Sequence, residues 1–80
     1  MKIRIHGNDW HAHDISENVN WCKAHNWKFI RYAKEDDHDH CLICYWTIHK
    51  SDDPEVGEAY FYGGSTWLCS ECYGQFIKEA

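Results

Sequence analysis

The chain has 80 residues, enough for one small domain, and a formal charge of −5 from eight Lys/Arg against thirteen Asp/Glu. That sign repels nucleic-acid phosphates and anionic membranes unless the cations gather on one face, and no segment approaches the ~20 apolar residues of a membrane span. Five Trp, five Tyr and three Phe stand against two Leu, Leu42 and Leu68, so the core must be built from a few large rings. A chain this short buries a limited share of its surface, and a cross-link such as a metal helps it to fold.

Ile3 and Ile5 alternate with Lys2, Arg4 and His6, which predicts a short strand. Gly7-Asn8-Asp9 predicts a turn. His11 and His13 form a His-x-His pair beside Trp10, and on a strand both rings would share a face that suits a metal. Asp14 and Glu17 have the spacing of a capping box, with Ile15, Val19 and Cys22 at helical intervals behind it. Asn26 is placed to end that helix. Cys22 reads as a small buried hydrophobe rather than a nucleophile. Trp27 to Ala33, rich in aromatic and branched residues, predicts a strand, and Glu35 to His40 a polar loop.

Two Cys-x-x-Cys pairs follow, Cys41/Cys44 and Cys69/Cys72. They supply four thiolates, the donor set of a tetrahedral structural Zn²⁺ site. The 24 residues between them, Tyr45 to Leu68, suffice for a β-hairpin that returns the second pair to the first. Tyr45 to His49 and Glu58 to Tyr62 are its expected strands, joined by a turn that holds the only proline, Pro54. Gly63-Gly64-Ser65 ends the second strand. Cys69 opens a helix carrying Tyr73, Phe76 and Ile77, and a helix N-terminus favours bound anionic sulfur. Iron accepts the same four-sulfur shell, but Tyr45 and Trp46 follow the first pair where a rubredoxin-like site would normally have glycine. Four thiolates close the shell, so the expected ion is one Zn²⁺ with a structural role. With it bound, four thiolates against one divalent ion take the charge to about −7.

The other histidines invite a second site. His38 and His40 flank Asp39 directly before Cys41; the expected role is that of solvated loop residues, with His40 well placed to steady a cysteine sulfur. Asp36, Asp37 and Asp39 beside these histidines could bind a divalent ion for hydrolysis. No Ser/His/Asp or Cys/His arrangement has supporting context, so an enzyme ranks third.

The order of knuckle, hairpin and helix opening with a cysteine pair resembles the treble-clef group of zinc fingers over Cys41 to Ala80. At a finer level, His38 to Trp46 together with Trp67 to Tyr73 resembles a pattern in small bacterial proteins. Some of those accompany contact-dependent or polymorphic toxin systems, where small acidic proteins act as immunity factors. The resemblance implies a protein-binding role and transfers no catalytic residue.

The expected architecture is a small zinc-stabilised α+β domain spanning 1–80, its zinc-finger part at 38–80. An N-terminal strand, helix and strand pack on the treble-clef-like knuckle, hairpin and C-terminal helix. The expected function is a non-enzymatic protein-interaction module, of immunity or adaptor type, with a basic protein partner. The alternative is a nucleic-acid-binding finger using Lys23, Lys28, Arg31 and Lys34, the only local concentration of cations. The N-terminus lacks the apolar stretch of a signal peptide, and five cysteines in two pairs and one remainder fit ligands in a reducing cytoplasm better than disulfides.

Overall fold

A computed structural model describes residues 1–78 of the chain. Strands β1 (Lys2–Ile5) and β2 (Asn8–His11) pair antiparallel, with Ile5 opposite Asn8. The reversal is made by His6 and Gly7, both at positive φ, 48° and 78°. A two-residue turn of that kind matches strand twist, so Asn8 and Asp9 extend a strand instead of forming the expected turn. Helix α1 (Ala12–Lys23) leaves β2 without a loop. The N–H of Ala12 donates to the carbonyl of Met1 at 3.0 Å, which ties the helix start to the hairpin. The predicted capping box is therefore not used: His11 holds the cap position, and Asp14 lies in the first turn, where its charge favours the helix dipole.

Ile15, Val19 and Cys22 form the buried face of α1, as their spacing predicts. The helix ends at Lys23, before Asn26, in a tightened turn where Ala24 and His25 N–H donate to the Trp21 and Cys22 carbonyls, both at 3.2 Å, and side chains share those oxygens. The His25 ring bonds the Trp21 carbonyl at 2.7 Å, and the Trp27 indole N–H donates to the Cys22 carbonyl at 2.8 Å.

Then follow β3 (Lys28–Arg31), β4 (His38–His40), β5 (Thr47–His49), the short helix α2 (Pro54–Gly57), β6 (Glu58–Tyr62) and β7 (Thr66–Cys69). The chain closes with α3 (Ser70–Cys72) and a π-helical turn over Tyr73–Ile77. The hairpin expected between residues 45–49 and 58–62 does not form. β5 folds back on β4 around the first cysteine pair, and β6 is the centre of an antiparallel sheet ordered β3-β6-β7. The segment read as a polar loop is thus partly strand. His-Asp-His has no apolar residue to reveal its alternation, although Asp39 lies opposite buried Ile48 and accepts the Tyr32 hydroxyl at 2.9 Å. Burial, then that hydrogen bond and the charge of Asp39, push Tyr32 up to about 12.

Two clusters make the core, and aliphatic and cysteine side chains fill most of it in place of the expected rings, of which only Tyr32 and Trp67 are buried among the described residues. The larger joins Ile5, Ile15, Val19, Cys22, Ile43 and Leu68 to Cys41, Cys69 and Cys72; the smaller holds Tyr32, Ile48, Ala59 and Trp67. Cys22 is fully buried, and burial followed by the charge of Cys41 pushes its thiol up to about 11. It is a packing residue. No helix among the described residues is long and apolar enough to cross a membrane.

The connection into β6 depends on one glycine. Asp53 caps α2 by accepting the Glu55 N–H at 3.0 Å, and the Gly57 carbonyl accepts the Tyr32 N–H at 2.8 Å. A Cβ on Gly57 would lie 2.2 Å from the Ser51 carbonyl oxygen, a clash with backbone. Gly57→Ala is expected to cost about 3 kcal/mol, the upper end of overpacking penalties, read from urea unfolding of the metal-loaded protein. An unchanged midpoint would show that the Ser51 segment yields freely.

Candidate metal centre

The first cysteine pair sits in the reversal between β4 and β5. Cys41 N–H donates to the Trp46 carbonyl and Tyr45 N–H to the Cys41 carbonyl, both at 2.9 Å. Tyr45 completes the knuckle at φ 64°, a left-handed conformation more usual for glycine. The knuckle is attached to β7 by the Leu42 N–H, which donates to the Trp67 carbonyl at 2.9 Å, and by a bridge from Cys41 to Trp67. Two residues beyond Trp67, Cys69 ends β7 and caps α3, its sulfur accepting the Cys72 N–H at 3.4 Å. Strand pairing and one cap therefore bring the two pairs together.

The four Sγ atoms all lie within 4.8 Å of one another. Cys44 and Cys69 sulfurs are 3.7 Å apart. A tetrahedron of sulfurs at the Zn–S distance of about 2.3 Å has edges of about 3.8 Å, so the donor set fits one ion of that size. Cys41, Cys69 and Cys72 are buried and Cys44 is half-buried.

Without a cation these thiols constrain one another. Hydrogen bonds from Cys44, then Cys69 and Cys72, hold Cys41 far below its ordinary value. At Cys44 the bond with Cys41 raises the thiol, but those with Cys69 and Cys72 bring it below its ordinary value. Hydrogen bonds to Cys41 and Cys44 push Cys69 up, and those to Cys41, Cys44 and Cys69 do the same for Cys72. The four thiols thus pull one another in opposite directions, two down and two up. A divalent ion lifts that constraint, since coordinated thiols are deprotonated outright.

The sequence reading missed His6. Its Nε2 lies 3.3 Å from Cys69 Sγ, its ring stacks on Trp46 at 3.7 Å, and its side chain is only 4 % exposed. Glu71 holds it from behind, accepting the His6 backbone N–H at 2.7 Å and lying 3.5 Å from Nδ1. This carboxylate–imidazole–sulfur chain is the outer support that metal ligands commonly have. The signal in the sequence is slight: a histidine where a hairpin turn normally carries Asn, Asp or Gly. His40, expected in this role, instead stacks on Tyr45 at 4.1 Å with its Nδ1 3.3 Å from the Tyr45 carbonyl.

The remaining expected residues are dispersed or paired. His11 ends β2 and His13 belongs to α1, so that His-x-His does not share a strand face. Arg31 is held to Glu58 at 3.0 Å and Lys34 lies 3.8 Å from Asp39. Lys23 and Lys28 stand outside the ion pairs of the described residues.

Comparison with protein-family models, curated proteins and solved structures finds no match to this chain. Its chemistry rests on its own geometry, which is four cysteines positioned to bind a metal ion.

Removing His6 separates outer support from ligation. His6→Ala is expected to keep the ion held by the four cysteines and release it to a chelator about 10–100-fold faster, as lost outer-shell partners do. Absorbance of a chromophoric chelator gives the rate, and an unchanged rate would mean the His6–Cys69 contact does not support the site.

Proposed function

We propose that this chain is a structural zinc-binding protein that acts as a non-enzymatic protein-interaction module for a basic partner, of immunity or adaptor type. The observation that carries the metal part is the cluster of four sulfurs within 4.8 Å, whose Cys44–Cys69 contact of 3.7 Å matches the S–S edge of a Zn–S tetrahedron. Four thiolates leave no position for a reacting water, so the ion ties the knuckle to β7 and α3 and does no chemistry. The order of knuckle, β6–β7 hairpin and Cys69–Cys72 supports a treble-clef-like arrangement, with its hairpin one strand later than the sequence suggests.

The interaction part is supported by the surface. Trp21 is 43 % exposed and Phe29 51 %, more than their packing requires. Around Trp21, the rings of His25, Trp27 and Tyr62 lie within 6.4 Å centre to centre. Rigid aromatic rings of this kind anchor protein interfaces, and a net charge of −5 steers a basic partner toward them. The nucleic-acid reading is weakened by the pairing of Arg31 and Lys34 with carboxylates.

The test is co-expression with the product of the neighbouring reading frame, followed by purification of the metal-loaded complex. A one-to-one complex is expected, its affinity falling at least tenfold in the double variant Trp21→Ala, Phe29→Ala. Tight binding of single-stranded oligonucleotides at 0.15 M salt, with no protein complex, would instead establish the alternative.

A further inference from the structure

Three imidazoles share one face of the β4–β5 hairpin. His38 and His40 are two residues apart on β4, and His49 on β5 is the direct partner of His38. Residues i and i+2 of a strand point the same way, and directly opposed residues place their Cβ atoms about 4.5–5.5 Å apart. The ring centres of His38 and His40 are 5.0 Å apart. Two imidazoles on one ion, with metal–nitrogen bonds of about 2.0 Å, have ring centres about 4.5–5.2 Å apart. The ring-centre spacing of the pair falls within that range.

The nitrogens are prepared as well. His40 Nδ1 lies 3.3 Å from the Tyr45 carbonyl oxygen and His49 Nδ1 lies 3.0 Å from that of Lys50. A carbonyl only accepts, so each Nδ1 carries the proton and each Nε2 presents a lone pair. A backbone carbonyl on the far nitrogen is the usual companion of a metal-binding histidine. The stack on Tyr45 further limits how the His40 ring can turn.

The surroundings favour a cation. His38 and His49 line a surface cavity together with Glu35, Asp36 and Asp37. Lys50 pairs with Glu35 within this lining and Lys34 with Asp39, which leaves Asp36 and Asp37 as its carboxylates outside the ion pairs of the described residues.

We propose that His38, His40 and His49 form a second metal site, separate from the cysteines, for a divalent transition ion that prefers imidazole, such as Zn²⁺, Ni²⁺ or Cu²⁺. Among the described residues only the four cysteines already have all donor atoms within 4.8 Å. The third imidazole joins by side-chain rotation, which its exposure permits. The ion is therefore bound at the surface and exchanges readily, unlike one enclosed by the thiolates. A water or a carboxylate of the Asp36–Asp37 turn fills the remaining position.

Zn²⁺ titration of the untagged full chain tests this, with ions counted by native mass spectrometry and affinities taken from calorimetry. The wild type is expected to bind two ions. His38→Ala loses the weaker one and keeps the tighter, while His40→Ala and His49→Ala each weaken it at least tenfold. His11→Ala, on a different surface, changes nothing. A wild-type count of one that persists in His38→Ala would overturn the proposal, as would a second ion that survives in the double variant His38→Ala, His49→Ala. A wild-type count of one that vanishes in His38→Ala would sustain the imidazole site and overturn the four-cysteine one.

Discussion

Sulfur occupies the middle of the main core. Cys41, Cys69 and Cys72 are as buried as Ile5 and Leu68 beside them, and together with Cys44 they place four mutually constraining thiols where a larger protein would put aliphatic side chains. Such a cluster is costly to leave without a cation, because buried charges that are not compensated are heavily penalised. With a divalent ion the same atoms become the strongest tie in the molecule. Structural zinc in small fingers contributes on the order of 10 kcal/mol, which is comparable with the whole stability of an ordinary domain. The strand pairings, the knuckle and the cap of α3 all act to bring these sulfurs to one point.

The N-terminal hairpin takes part in that arrangement. Its turn residue His6 reaches the Cys69 sulfur, leans on Glu71 and stacks on Trp46. Contacts from the first turn of the chain thus close over a site formed by its second half. The hairpin also starts α1, whose buried face completes the core around the cysteines. The hairpin, the helix face and the four cysteines therefore meet in one cluster.

Much of this was legible in the residues, for different reasons in different places. The Cys-x-x-Cys spacing identifies the donor set because two thiolates on a tight turn have few other uses. The spacing of Ile15, Val19 and Cys22 identifies the buried helix face. Pairing partners were harder to read. Tyr45 to His49 looks like the first strand of a hairpin with Glu58 to Tyr62, yet it pairs with His38–His40, whose polar side chains give no alternation signal. The start of α1 has no side-chain signal because Met1 supplies by backbone contact what a capping side chain would otherwise supply. His6 was invisible for a related reason: its role depends on contacts with residues more than sixty positions away.

The claim on which the account depends is that the ion makes the fold. Its most direct measurement is the amide NMR spectrum of the reduced, metal-free chain as Zn²⁺ is added. The account predicts poorly dispersed resonances without metal and a dispersed, native spectrum that is reached sharply at one equivalent, with the indole signals of Trp46 and Trp67 shifting in the same step. A metal-free chain that already shows the dispersed spectrum and melts cooperatively would contradict it, since the sulfurs would then be guests of a fold held together by other means.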